Sequence, residues 1–414
     1  MPPFANAISP PSSDPIAFDR ILSIDIFRGS TMLLMIFVND LSSVRGLPRW
    51  TYHAHTNEDF MTYVDMVFPA FLFILGMALP LAIERRLRKD PSLAHLIGHI
   101  VLRTVALLVF GLILANTDQG NSASMHGLNT YMWGLLALLG AMLFWAVYPR
   151  QSSYADLFRG LRLSGLVLMI AMAAIFRRTA RNGSIAWINV SYPEILGLIG
   201  FTYLCISLIY LLTRRWSWAP FAWFTALTLF CCASAGKLLL FPDRSSMWIW
   251  PLSNGSMAAI AMAGVFTSSL FFGAFAARLH TPARRIAAAL AFALLCSAAG
   301  LAAAPLGISK NRGTPTWSLW SIAASVAAFI LLYWITDVRR RSAWAAFIRP
   351  AGSNTLLTYL VPDILYFAIA ATATTWFRSH LAFGIPGVLR ACVTTGLILG
   401  VAALLTRARV GLRL

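Results

Sequence analysis

Four residues near the start of the chain have types and spacing suited to proton transfer: Asn39, Asp40, His55 and Asp65. Asn39 and Asp40 close one apolar run, and Asp65 opens the next in the string Val64-Asp-Met-Val-Phe-Pro69. Between them lies a polar loop carrying His53, His55, Asn57, Glu58 and Asp59. An imidazole beside carboxylates and an amide is the equipment that general acid–base chemistry needs. Taken singly, each has a structural reading as well: a loop histidine is ordinarily just solvated, and Asp65 can complement a helix dipole. Further along, Lys310 and Arg312 sit in the loop Gly307-Ile-Ser-Lys-Asn-Arg-Gly-Thr-Pro-Thr-Trp317. They read either as the wall of a pocket for a polar or anionic ligand, or as interfacial charges with Trp317 anchored in the aromatic belt.

The elements that must position these groups are transmembrane helices. Hydrophobic residues make up 58% of the 414 positions and charged residues only 12%, about half the charge a soluble domain carries. The apolar runs recur near the 20-residue length of a bilayer crossing, and backbone in lipid must satisfy its own hydrogen bonds. The expectation is an all-α, polytopic transmembrane bundle. Its spans fall near 27–43, 63–83, 95–115, 129–148, 163–176, 194–213, 218–236, 255–277, 284–305, 317–336, 353–375 and 386–406. The fifth is short for a crossing, leaving the number at eleven or twelve. The expected organisation is a tail over 1–24, a membrane domain over 25–406 and a second tail over 407–414.

The net charge of +18 comes from Lys and Arg in short clusters between apolar runs. That pattern is a topology signal, and it argues against a nucleic-acid partner. With the N-terminus placed inside, the cytoplasmic segments carry more than twice as many Lys and Arg as the opposite side, led by Arg85, Arg86, Arg88 and Lys89. Both termini are therefore expected in the cytoplasm, which puts Asn39, His55, Asp65 and Lys310 together at the far face. The Pro-rich first twenty residues lack the charged and apolar regions of a cleaved signal peptide.

Cys205, Cys231, Cys232, Cys296 and Cys392 all fall in apolar runs without metal-ligand spacing, and read as packing residues with no metal site. Asp25 and Arg28 are three apart and can pair on one helix face. Glu194 opens the sixth span, and Asp363 lies inside the eleventh after Pro362, with Arg390 as a candidate ion-pair partner. Trp187, Trp248, Trp250, Trp317 and Trp376 read as interface anchors, and the glycines of spans two and eight as close-packing points.

Several motifs together resemble a known family. Arg20-x-x-Ser-x-Asp-x-Phe-Arg-Gly29, Val38-Asn39, a following histidine and Asp65-x-Val-Phe-Pro-x-Phe-Leu-Phe73 with Gly76 are similar to the opening of the heparan-α-glucosaminide N-acetyltransferase family and its bacterial relatives. Ile308-Ser-Lys-Asn311 with Trp317-Ser-Leu-Trp320, and Ala351-Gly-Ser-Asn354-Thr-Leu-Leu-Thr-Tyr359, resemble two later motifs of that family. The resemblance implies a membrane-embedded acetyltransferase that takes acetyl from cytoplasmic acetyl-CoA and delivers it across the bilayer to an amino sugar or glycan. The family's catalytic histidine lies ten residues before the Asp of Asp-x-Val-Phe-Pro, which selects His55 over His53 as general base or transient acetyl acceptor. Asn39 would polarise the thioester carbonyl, and Asp65 would orient His55 or hold the acceptor. Arg28 is the candidate for the cofactor's phosphates, and Lys310, Asn311 and Asn354 for the substrate. The resemblance implies a bacterial inner membrane and leaves monomer and homodimer open. Around the histidine the chain reads Thr56-Asn-Glu-Asp where the relatives have Trp-Asn-Gly, so a bacterial envelope glycan or imported amino sugar is expected in place of an animal polysaccharide. A secondary transporter or flippase of a sugar-like or anionic solute is the alternative, for which the chain shows no internal repeat.

Overall fold

The computed structural model describes residues 21–55, 57–149, 154–192, 194–239, 252–372, 380–408 and 411–412. Trp248, Trp250 and Trp376 lie outside the described residues. Thirteen α-helices are present among them: α1 (Leu22–Leu41), α2 (Val67–Lys89), α3 (Leu93–Thr117), α4 (Thr130–Trp145), α5 (Ala155–Ile175), α6 (Glu194–Thr213), α7 (Ala219–Ala235), α8 (Ser256–Phe271), α9 (Pro282–Ala302), α10 (Pro315–Tyr333), the short α11 (Arg349–Ser353), α12 (Thr355–Ala371) and α13 (Gly384–Arg407). The described strands are a two-residue hairpin, Arg178–Thr179 with Ile185–Ala186.

The chain is an all-α, polytopic integral membrane protein. Eight of the helices are long and apolar enough to cross a bilayer. Four shorter apolar helices, α4, α7, α8 and α12, complete a one-to-one match with the twelve expected spans. The short members are not the one expected. The fifth helix runs a full 21 residues, because Asp156, Arg159 and Arg162 occupy its first turns and mask its start in a hydropathy profile. Arg159 and Asp156 pair at 3.0 Å on its exposed face.

The centre of the bundle is α2 packed on α8. A Cβ on Gly76 would stand 1.7 Å from the carbonyl oxygen of Ala261, and one on Gly264 would stand 2.0 Å from that of Phe73. Each glycine thus admits the other helix's backbone, the close approach expected of small residues in membranes. Phe27, Phe271, Phe329 and Tyr333 add an aromatic cluster, with Phe271 and Phe329 edge to face at 5.0 Å. Around this centre α3 pairs with α6, α4 with α5, and α9 with α10, while α1 lies against α11 and α13.

Three expectations about buried residues change. Trp317 is fully buried, so it is a core residue and no interface anchor. Arg390 pairs with Asp40, 3.6 Å away across α1 and α13, leaving Glu194 and Asp118 as the charged neighbours of Asp363. Cys392 is exposed on α13 while Cys231 and Cys296 are buried, so packing describes only part of the cysteine set. Asp25 and Arg28 do pair, at 3.4 Å, and Trp187 is exposed.

Candidate functional site

At one end of the bundle the chain leaves α1, loops through residues 42–62 and enters α2 by a 3-10 turn, Tyr63–Met66. That turn is built by a capping box, in which the Thr62 side chain and Asp65 satisfy each other's backbone N–H groups. Asp65 does more than cap. One carboxylate oxygen accepts from the backbone N–H of Thr62 at 3.0 Å, the N–H of Ala54 at 3.2 Å and the Thr62 hydroxyl at 3.3 Å. The other lies 2.7 Å from Nδ1 of His53. The carboxylate is 1% exposed, and these contacts satisfy the acceptors that burial would otherwise leave costly. Behind it, the indole N–H of Trp317 donates to the Asp65 carbonyl at 3.0 Å.

A second loop, between α9 and α10, closes on the first. Asp59 pairs with Arg312 and accepts from the Ile308 N–H at 3.1 Å. These bonds hold the Asp59 carboxyl below the usual carboxylate range, the Arg312 contact being the larger cause. Arg49 pairs with Glu58 and donates to the His53 carbonyl at 2.8 Å, fixing the backbone on the other side of the histidine. This framework carries Lys310 to 3.5 Å from Nδ1 of His53. Burial lowers the Lys310 pKa, and the Asp65 charge acts in the opposite direction.

His53 and Lys310 line a narrow cleft together with Asn39 of α1, Phe68 of α2, Ile199 of α6 and Tyr359 of α12. The Tyr359 hydroxyl donates to Glu194 at 3.0 Å. Glu194 sits at φ +60° at the head of α6 and also accepts from the Leu196 N–H at 2.9 Å. The cleft therefore combines an imidazole with a carboxylate behind it, an ammonium, an amide and a phenol on an apolar wall. With Nδ1–H donated to Asp65, the ring's Nε2 carries the lone pair, the arrangement by which a buried carboxylate sets an imidazole up as a base.

The sequence-predicted residues separate into two groups. Asn39, Asp65 and Lys310 come together as expected. His55 does not join them. Asp65 holds His53 instead, while His55 is exposed and its backbone N–H donates to Glu58 at 3.0 Å. The reason is the loop's path: the capping box turns Ala54 and His53 back onto Asp65, and the residue two further on points out of the pair. Asn311 is exposed beside Lys310 and does not line the cleft. Asn354 stands at the junction of α11 and α12, its amide 3.9 Å from where a Cβ on Gly411 would lie, away from the cleft. Arg28 is about 16 Å along α1 from Asn39 at 1.5 Å per residue; its guanidinium contacts Asp25 and the Gly352 carbonyl, each at 3.4 Å. Reasoning from sequence missed His53, Trp317 as a clamp, and the Tyr359–Glu194 pair. Glu194 at a helix start, and Tyr359 closing the Asn354 motif, were the available signals.

A family model described as "Domain of unknown function (DUF5009)" matches residues 20–236, more than half of the chain. The chain is also similar to heparan-alpha-glucosaminide N-acetyltransferase of Mus musculus, 33% identical over 121 residues, and of Homo sapiens, 34% identical over 99 residues. Those segments are 27% and 24% of this chain but only 18% and 14% of the two relatives, so the chain spans a minor part of the proteins it matches.

Proposed function

The chain belongs to the DUF5009 family, and from that premise and the chemistry of the cleft we propose that it is a membrane acetyltransferase with His53 as its base. The observation that carries the proposal is the 2.7 Å contact between His53 and the buried Asp65, in a cleft shared with Asn39 and Lys310. The two similar acetyltransferases supply the reaction class. The donor on this reading is acetyl-CoA, and the acceptor an amino sugar or glycan. The excess of Lys and Arg on one side of the spans supports a cleft on the non-cytoplasmic face with both termini inside, and on this reading the membrane is the bacterial cytoplasmic one.

In the proposed reaction, Nε2 of His53 takes the proton from the acceptor amine or hydroxyl as that atom attacks the thioester carbonyl. Asp65 stabilises the imidazolium without taking the proton. Charge develops on the carbonyl oxygen, where the Asn39 amide and the Lys310 ammonium can donate. Collapse of the tetrahedral species breaks the C–S bond, and the departing thiolate takes the proton back from His53. In a two-step variant, Nε2 of His53 attacks the thioester carbonyl and expels the thiolate, and the acceptor then displaces the acetyl group from the imidazole, its proton passing to the departed thiolate. Asp65 is buried and already saturated with donors, so its role is to hold His53.

Purified protein supplied with radiolabelled acetyl-CoA and a panel of amino sugars tests the proposal. Label should pass to an acceptor with wild type and with His55→Ala, and fall by two to four orders of magnitude with His53→Ala. Transfer that survives in His53→Ala would sink the assignment of the base.

A further inference from the structure

A second group of basic residues runs from the exposed end of α2 to the interior face of α3, away from the His53 cleft. Arg103 of α3 is ten residues from the start of that helix, roughly 15 Å along its axis. A guanidinium at that depth is expensive unless it has a function or a partner. Its group lies over the ring of Tyr203 on α6, 4.6 Å from the centroid. Tyr203 is only 6% exposed, and the Arg103 Nε is buried with no hydrogen-bond partner among the described residues. The arginine is thus directed into the protein, where it cannot snorkel to the headgroups as an end-of-helix arginine does.

Two more basic side chains converge there. His99 precedes Arg103 by four residues on the same face of α3, and the charged groups acting on it are Arg86 of α2 and Arg103 itself. No carboxylate pairs with any of the three among the described residues. Close packing makes the cluster rigid: a Cβ on Gly200 of α6 would lie 3.1 Å from Leu107 and 3.3 Å from the Thr104 carbonyl, so α3 and α6 are in near contact one residue beyond Arg103. Two guanidiniums with no counter-charge among the described residues, one of them with a buried Nε that lacks a partner, and an imidazole with N–H to donate form a site for an anion with several oxygens.

We infer that Arg103, His99 and Arg86 bind a phosphate group, and that this group belongs to the coenzyme A end of the acyl donor; this rests on the acetyltransferase reading above. The path between the two sites has the required direction. Asn116, near the far end of α3, brackets the backbone of Asn189 at 2.7 and 3.0 Å, so that end of α3 meets the segment that precedes α6. Along α6, Tyr203 shares a face with Ile199 and Ile195, both of which line the His53 cleft. The eight residues from Tyr203 to Ile195 cover roughly 12 Å. A pantetheine arm, about as long as four extended peptide units, spans roughly 13–14 Å. A donor anchored by its phosphates at Arg103 therefore brings its thioester to the level of the cleft. Arg28, with its guanidinium already on Asp25 and the Gly352 carbonyl, is the weaker candidate for that anchor.

The test compares two donors on the full-length protein in nanodiscs of neutral lipid: acetyl-CoA, and S-acetyl-N-acetylcysteamine, which carries the thioester without phosphates. Arg103→Gln should lower kcat/KM for acetyl-CoA relative to the truncated donor roughly ten- to a hundredfold, the loss expected for one charge-assisted phosphate contact. Coenzyme A should bind correspondingly more weakly by calorimetry, and Arg103→Lys should recover part of the loss. If Arg103→Gln does not fold, Arg86→Gln, at an exposed position, and His99→Gln give the same readout with a smaller ratio. An unchanged donor ratio with transfer intact overturns the site and leaves the transferase standing. Coenzyme A binding that depends on Arg103 without any acetyl transfer supports the site and overturns the transferase. A lipid source would appear as phosphatidylglycerol retained by wild type in mixed nanodiscs, lost in Arg103→Gln, with no coenzyme A binding in neutral ones. That result overturns the donor assignment.

Discussion

The indole N–H of Trp317 donates to the backbone carbonyl of Asp65 across 252 positions of sequence, at 3.0 Å and out of contact with water. The bond ties the first turn of α10 to the turn that presents Asp65, so the acidic partner of His53 is positioned by a helix from the far end of the chain. Trp317→Phe keeps the apolar ring and removes the donor. A buried carbonyl left without its partner costs about 1–3 kcal/mol, and thermal unfolding should register that loss. Transfer activity should fall by more than the stability change explains, with the pH profile altered, because Asp65 is freed to shift. A variant with lowered melting temperature but an unchanged pH profile would reduce Trp317 to a packing residue.

Asp65→Asn separates charge from shape. The amide fills the same volume and can accept the Thr62 and Ala54 N–H bonds, yet it carries no charge to stabilise an imidazolium at His53. Activity should drop by about two to four orders of magnitude, as when the carboxylate behind a catalytic imidazole is neutralised. His55→Ala, which changes a side chain that Asp65 does not hold, should stay within a few-fold of wild type. Equal losses in Asp65→Asn and His55→Ala would return the base to His55.

Much of this was legible in the sequence. The twelve apolar runs each became a helix, since a backbone in lipid has almost no alternative. The pairing of Asn39 and Asp65 with Lys310, from loops some 250 residues apart, followed from requiring alternate crossings. What the sequence concealed is finer than a helix. His53 and His55 are chemically identical and two residues apart, and only the turn fixed by the Thr62–Asp65 capping box decides between them. Trp317 looked interfacial because it opens a span, but its burial depends on α2 and α10 meeting at their ends. Arg103 was concealed by its apolar neighbours in α3, where a window average dilutes one charge.

Gly76 and Gly264 give the fold its own test. Alanine at Gly76 would put a methyl 1.7 Å from the Ala261 carbonyl oxygen, and alanine at Gly264 would put one 2.0 Å from that of Phe73. Neither obstacle is a flexible side chain, so α2 and α8 must separate. Overpacking of this kind costs about 1–3 kcal/mol, more where backbone must move, and each variant should lose yield and melting temperature in detergent. Gly98, where a Cβ meets nothing within 4 Å, is the control, and Gly98→Ala should be neutral or slightly stabilising. Comparable behaviour of all three would contradict the close α2–α8 contact.

Lys310 predicts the sign of a pH effect. Burial lowers its pKa below the ordinary lysine value of 10.5, and the attraction of Asp65 offsets only part of that fall. Between the lowered folded pKa and 10.5, the unfolded chain binds the extra proton, so stability rises with pH across that window. Below the folded pKa both states are protonated, and the buried charge weighs fully against folding. Lys310→Met removes the charge and keeps much of the stem. The melting temperature of wild type, measured against Lys310→Met from neutral pH towards 10, should therefore climb relative to the variant. A flat or falling difference would mean that Asp65 compensates the ammonium completely, and Lys310 would then be a structural counter-ion to Asp65 with no reserve of charge to offer a developing oxyanion.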